Sequence, residues 1–326
     1  MYIPEYSISP SILKNIANIE YAKAVVENTP ILDNLSLQLV KHAKIEKVTA
    51  LLQIEGYNFS TDLIKKRVDG VLETSHIEIE NILKTITTTH EVLIEGDVDV
   101  DTLKSLHTIL ADKILFETGS LRNTPEVGKI PSEEILAKLY DTFDWFYSKD
   151  GTDTHPVLAC SILLAQLLLI KPFKKFNQSL LFILTEELLA LRGYTQKNYA
   201  SFCDYFYYHI KKDALNEALG NGEDLTSWLE FVTEGMSSVS YKTKDEVLLS
   251  AKDTKLAKAT GLVKLTERQN RIVEYLQDYG ILRNKDFKLV FPTVSEDSVL
   301  RDLKLLQAEG VVVKTGSTKS SSYVLK

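Results

Sequence analysis

Apolar positions recur every three or four residues along most of this chain, the period of a helix that buries one face. Residues 9–26 read as an opening helix, with Ser9 as N-cap, Pro10 at the first helical position, and Ile12, Leu13, Ile16, Ile19 and Val26 on the buried side. A second amphipathic stretch runs from Leu32 to Ile54. There Glu55-Gly56-Tyr57-Asn58 breaks the pattern, and Ser60-Thr61-Asp62 is set to start another helix. Helical period returns over 76–93, 101–115, 132–147, 154–170, 177–191, 196–219 and 224–250. Between Gly119 and Ile130 it is lost. Gly119, Pro125, Gly128 and Pro131 punctuate that stretch, which predicts a short hairpin or flap.

The pattern thins over 251–263, a predicted linker, and a different order follows. A helix opens at Leu265-Thr266 with Ile272, Val273, Leu276 and Tyr279 inward and ends at Gly280. A short helix covers 284–290, Pro292-Thr293 turns the chain, and a third helix covers 295–309 with Val299, Leu303 and Leu306 inward. After Gly310, Val311 to Lys314 and Ser321 to Leu325 flank Gly316 as a hairpin. Three helices and a hairpin make the winged helix-turn-helix order. The predicted organisation is a helical N-terminal segment (1–95), a core (96–250), the linker, and a winged helix domain (264–326).

Composition agrees with a folded, mainly α chain: 44% apolar, 25% charged, and only 14 Gly and 8 Pro in 326 residues. The longest apolar run, Val157 to Ile170, would span roughly 21 Å as a helix, short of a ~30 Å hydrocarbon core. It predicts a buried helix, and no membrane partner is expected. Cys160 and Cys203 are the only cysteines, so neither a disulfide framework nor a cysteine metal site is expected, and the expected location is the cytoplasm. From Lys264 onward 11 Lys and Arg face 8 Asp and Glu, a balance of +3 that leaves −10 on residues 1–263. That split predicts separate tasks for the two parts.

The segment with the most chemistry is Lys171-Pro-Phe-Lys-Lys-Phe-Asn-Gln-Ser-Leu-Leu-Phe182, a loop between the buried helix that begins His155-Pro156 and the next one. Helix, short loop and helix N-terminus form a place for an anion, because free backbone N–H groups and the helix dipole point into it. Lys171, Lys174, Lys175 and Asn177 are the candidate anion or nucleotide contacts, with N-cap the alternative role for Asn177.

This arrangement resembles the Fic (Fido) family, which transfers AMP or related groups from nucleotides to protein hydroxyls. The family loop reads His-Pro-Phe-x-Asp/Glu-Gly-Asn-Gly-Arg-x-x-Arg. The resemblance covers residues 1 to about 220 and implies a Fic-like helical core with a short β-hairpin flap. It makes Gly119, Arg122, Val127 and Ile130 the flap that docks a target segment, and Glu55 and Gly56 part of an inhibitory-helix-like region. Only Pro172, Phe173 and Asn177 agree with the family loop. Lys171 stands where the family His acts as general base, and an ammonium cannot take up the target's proton. Lys175 replaces the acidic Mg²⁺ ligand, and Phe176 and Gln178 replace the close-approach glycines. Ser179 and Phe182 replace the phosphate-gripping arginines, so the arginine that Glu55 pairs with in the family is missing. The expectation is a degenerate, non-catalytic regulatory or signalling module with no metal and at most weak, Mg²⁺-independent ATP binding. An active nucleotidyltransferase and a winged-helix transcription regulator are the alternatives. Arg301, Lys314 and Lys319 are the candidate DNA contacts of the C-terminal part, although Glu296 and Asp297 open its third helix unfavourably for phosphate. A protein partner, nucleic acid through the winged helix and a homodimer are the partners left open.

Overall fold

The structure is a computed structural model that describes residues 2–70, 76–123, 130–194, 196–210, 213–259, 266–292, 294–308, 311–315 and 321–325. It divides into two compact units, 1–248 and 249–326. The first opens with α1 (Pro10–Asn28), α2 (Asp33–Ile54), α3 (Thr61–Val68), α4 (Ile77–Glu95) and α5 (Val100–Leu110). Then come α6 (Ile135–Tyr147), α7 (Lys149–Asp153), α8 (Pro156–Ile170), α9 (Asn177–Leu191), α10 (Cys203–Ile210), α11 (Ala214–Leu219) and α12 (Thr226–Ala259), whose residues from Leu249 on belong to the second unit.

Ser9 caps α1 by accepting the Ile12 N–H, as its position before Pro10 predicts. The buried stripe of α1 is Ile12, Asn15, Ile19, Ala22 and Val26. Leu13, expected inward, lies about 100° around the helix from Ile12 and is 65% exposed. Asn15 and Asn18 instead tie α1 to α12 through Thr233 (3.2 Å) and Ser237 (3.3 Å).

α8 is the central rod, with all but Pro156, Gln166 and Leu169 buried, and it packs against α9 and α6. Trp228 of α12 donates its indole N–H to the Ser161 carbonyl at 2.7 Å, which fixes α12 beside it. α9 also meets α2 and α4. Among the described residues no helix is long and apolar enough to cross a membrane.

One expected helix is corrected. Residues 196–219 are not one helix: Gln196, Lys197, Asn198 and Asp213 all take left-handed backbone, which breaks the run into α10, α11 and the turns before them. The linker expected at 251–263 is helical as far as Ala259, the end of α12. Its last residues lie outside the described ones. Of the flap expected at 119–130, Gly119–Asn123 and Ile130 are described and form no strand; Pro125, Val127 and Gly128 lie outside the described residues.

The second unit contains α13 (Glu267–Tyr279), β1 (Leu282–Arg283), α14 (Phe287–Val290), α15 (Glu296–Ala308), β2 (Val312–Thr315) and β3 (Ser322–Leu325). The strands form an antiparallel sheet in the order β1-β3-β2, with Tyr323 opposite both Leu282 and Lys314. Thr266 and Gln269 close a capping box on α13, and Ile272, Leu276, Phe287, Val299, Leu303 and Leu306 fill the core. Tyr279, expected inward, is 67% exposed and stacks on Tyr275 instead. Leu265, Thr293, Glu309, Gly310, Gly316 and Lys319 lie outside the described residues.

Candidate functional site

The 171–176 loop sits where α8 runs out and α9 begins. Lys171 leaves α8 in left-handed backbone (φ 49°, ψ 66°), and Phe176 enters α9 the same way (φ 62°, ψ 16°). A β-carbon disfavours that conformation, so a phenylalanine there is held by its surroundings. Phe176 and Phe173 are both buried. The Asn177 side chain does the holding. Its Oδ1 accepts the Phe173 N–H (2.9 Å) and its Nδ2 donates to the Phe173 carbonyl (2.6 Å). Asn177 therefore closes the loop on itself. It is the first residue of α9 rather than its N-cap, and the N-cap position, Phe176, has no side-chain cap bond.

Two further residues brace the loop from the flap side. Arg122 is 2% exposed, and its guanidinium donates to the carbonyls of Lys171 (2.8 Å), Ile170 (3.2 Å) and Ile130. A cation on the last carbonyls of α8 is favoured by the dipole. Its backbone N–H also donates to the Pro172 carbonyl at 2.8 Å. His107 on α5 accepts the Gly119 N–H on Nδ1 (2.9 Å) and holds the Lys175 carbonyl at Nε2 (3.2 Å). Burial pushes its pKa down to about 4, so the ring is neutral, with its proton on Nε2. Gly119 has φ +70°, and a Cβ there would lie 2.3 Å from the Thr108 hydroxyl oxygen. Only glycine fits.

The anion position at the start of α9 has a neighbour from α2. Glu55 stands at the C-terminal cap of α2, followed by Gly56 with φ +86°. Its Oε1 accepts the Ser179 hydroxyl at 2.7 Å and the Ser179 N–H at 3.3 Å. Ser179 is fully buried, and its hydroxyl also reaches the Leu51 carbonyl at 3.2 Å. Burial raises the Glu55 pKa, against the lowering by Ser179, the Phe176 backbone and Lys175. A carboxylate thus lies on a first-turn amide of α9, where an external anion would otherwise sit.

The remaining loop positions are brought less close. Lys174 is exposed and pairs with Glu117 at 3.0 Å, Lys175 is exposed, and Lys171 is half-buried. Phe182 lies in the core, stacked on Phe206 with centroids 4.7 Å apart. Ile130 is half-buried; Val127 is not among the described residues. Among these, no group of three or more His, Cys, Asp or Glu could hold a metal ion. In the second unit Arg301 and Lys314 are exposed, as are Glu296 and Asp297. Asp302 is buried and takes the Arg268 guanidinium together with Gln269.

Sequence reasoning placed Arg122 in the target-docking flap and gave Ser179 no partner. A lone histidine in the buried stripe Leu103-Leu106-Leu110 was the one available sign of a brace.

No family model matches the sequence, and no curated protein matches it significantly. Solved structures do match. A Fic family protein from Desulfovibrio desulfuricans aligns over 100% of this chain and 98% of its own, at 17% identity and a TM-score of 0.66. Fic-1 from C. elegans aligns over 74% of each chain at 13% identity and a TM-score of 0.59. A Fic-domain-containing signalling protein from Bacteroides thetaiotaomicron aligns over 74% of this chain and 98% of its own, at 16% identity and a TM-score of 0.54. At such identities the likeness is one of fold. The chain has the Fic fold.

Proposed function

We propose that this protein is a Fic-fold module without nucleotidyl-transfer activity, which acts in regulation or signalling by binding protein. The observation that carries the reading is the Glu55 carboxylate on Ser179 at the start of α9. Phosphoryl transfer is catalysed almost entirely by positioning and charge: a base for the hydroxyl, a metal, and cations on the phosphates. At the corresponding positions this chain has Lys171, exposed Lys175, buried Ser179 and core-stacked Phe182. The donor set does not fit a Mg²⁺–nucleotide. A nucleotide phosphate would face Glu55, with the loop's Lys171, Lys174 and Lys175 to attract it. Binding of ATP is therefore weak and indifferent to Mg²⁺.

Phe116, fully exposed beside the Glu117–Lys174 pair, is a residue a protein partner would cover. The second unit fits a winged helix that docks protein, because Glu296 and Asp297 at the start of α15 repel a phosphate backbone. Titration calorimetry with ATP, with and without Mg²⁺, tests the reading. Dissociation constants above about 0.1 mM, unchanged by the metal, support it. Micromolar, Mg²⁺-dependent binding would overturn it.

A further inference from the structure

A cavity of about 420 Å³ opens between α2, α4, the second half of α9 and residues 198–202. It lies roughly 15 Å along α9 from the loop and owes nothing to it. Val40, Ala43, Ile86, Ala190 and Phe202 give it an apolar wall. Its floor is charged. The Lys47 ammonium is 3.0 Å from Glu186 Oε2 and 2.9 Å from Glu187 Oε1, and all three side chains are under 15% exposed.

The two carboxylates are not equivalent. Glu186 is saturated: Oε1 accepts the Phe202 N–H (2.9 Å), and Oε2 accepts the Ser201 hydroxyl and the Cys203 thiol, each at 3.3 Å. Among the described residues Glu187 Oε2 meets only the His90 ring, at 3.2 Å, and that ring is half exposed at the cavity edge. Burial works against the Lys47 charge, but the two carboxylates outweigh it and hold the ammonium protonated. One cation against two anions leaves the floor at −1. A buried ion cluster of this kind is costly to maintain for stability alone. The cavity edge adds strain of its own, since Asn198 follows Gln196 and Lys197 in left-handed backbone.

We infer that this cavity binds a small organic cation, a primary amine on a short apolar body, with its ammonium on Glu187 Oε2 and its body against Val40, Ala43 and Ile86. An anion of the same shape would face the excess negative charge, and a neutral alcohol would leave that charge unanswered. The size is that of a metabolite pocket, and its apolar wall with a few convergent polar groups is the usual composition of one.

The test uses the full chain at pH 8 with three probes of one shape: hexylamine, hexanol and hexanoate, titrated by NMR chemical shift. Hexylamine should saturate with a dissociation constant of order 1 mM, and the other two should bind at least tenfold more weakly. Glu187→Gln should weaken hexylamine at least tenfold. Because that change also loosens Lys47, Ala190→Phe serves as the second variant. It fills the cavity from a half-exposed position without altering charge and should abolish saturation. Hexanoate or hexanol binding as tightly as hexylamine, hexylamine failing to saturate at tens of millimolar, or its binding unchanged in Ala190→Phe would each overturn the inference.

Discussion

The imidazole of His107 lies flat against the ring of Phe173, with centroids 3.9 Å apart and planes 10° apart. One edge of the imidazole holds the flap at Gly119 and the other holds the loop at Lys175. The neutral ring is what fits: a protonated one would lose its acceptor for Gly119 and carry a buried charge. The folded pKa of about 4 lies below the ordinary 6.5, so the native state binds fewer protons than the unfolded chain between those values. The stabilisation is complete above pH 6.5 and is lost as the pH falls towards 4, by about 3 kcal/mol over the window. His107→Phe keeps the stacking but neither hydrogen bond. Urea unfolding at pH 7.5 should place it about 2 kcal/mol below the unmodified protein. That gap should shrink by pH 4.5.

Arg122 donates to three carbonyls at once, at Ile130, Ile170 and Lys171. Truncation removes all three of these bonds together. Arg122→Ala should cost about 3 kcal/mol, read from the urea midpoint. Arg122→Lys should recover less than half of that, since an ammonium lacks the planar fork that spans the carbonyls.

Glu55 makes the opposite pH prediction. Burial raises its folded pKa above the ordinary carboxyl value. The group's stabilising contribution is therefore fully present below the unfolded pKa and is lost as the pH rises through the folded one. Glu55→Gln keeps an acceptor for Ser179 without the buried charge. By thermal unfolding at pH 7.5 it should be at least as stable as the unmodified protein, and any advantage should vanish by pH 4. Glu55→Ala instead takes the acceptor from the Ser179 N–H and leaves the hydroxyl the Leu51 carbonyl alone, and it should lose about 1–2 kcal/mol at both pH values.

The helices were legible wherever apolar period and caps agree, as at Ser9-Pro10 and in the Val157–Ile170 run. Leu13 was misplaced because it adjoins Ile12 in sequence while the stripe continues through Asn15. The break in 196–219 carries no glycine at its left-handed residues, and Asn198 and Asp213 are weaker marks of that backbone. Within the site, the loop's departures from the Fic pattern could be read residue by residue. The Glu55 contact could not. With phenylalanine at 182, the partner that the pattern offers is gone, and its replacement, Ser179, is a small residue 124 positions away that packing alone brings close. Asn177 likewise read as a helix cap, because the left-handed turn at Phe176 that moves the cap back by one residue has no sequence mark.

The most direct measurement of the central claim is transfer of label from nucleotides labelled at the α-phosphorus, ATP, GTP, UTP and CTP, with Mg²⁺ and cell lysate. It is run on the unmodified protein and on Glu55→Gly, which clears the start of α9. Neither should label itself or any lysate protein above background, since removing Glu55 restores no base, metal ligand or phosphate clamp. Incorporation by either protein that disappears on Lys171→Ala would contradict the account.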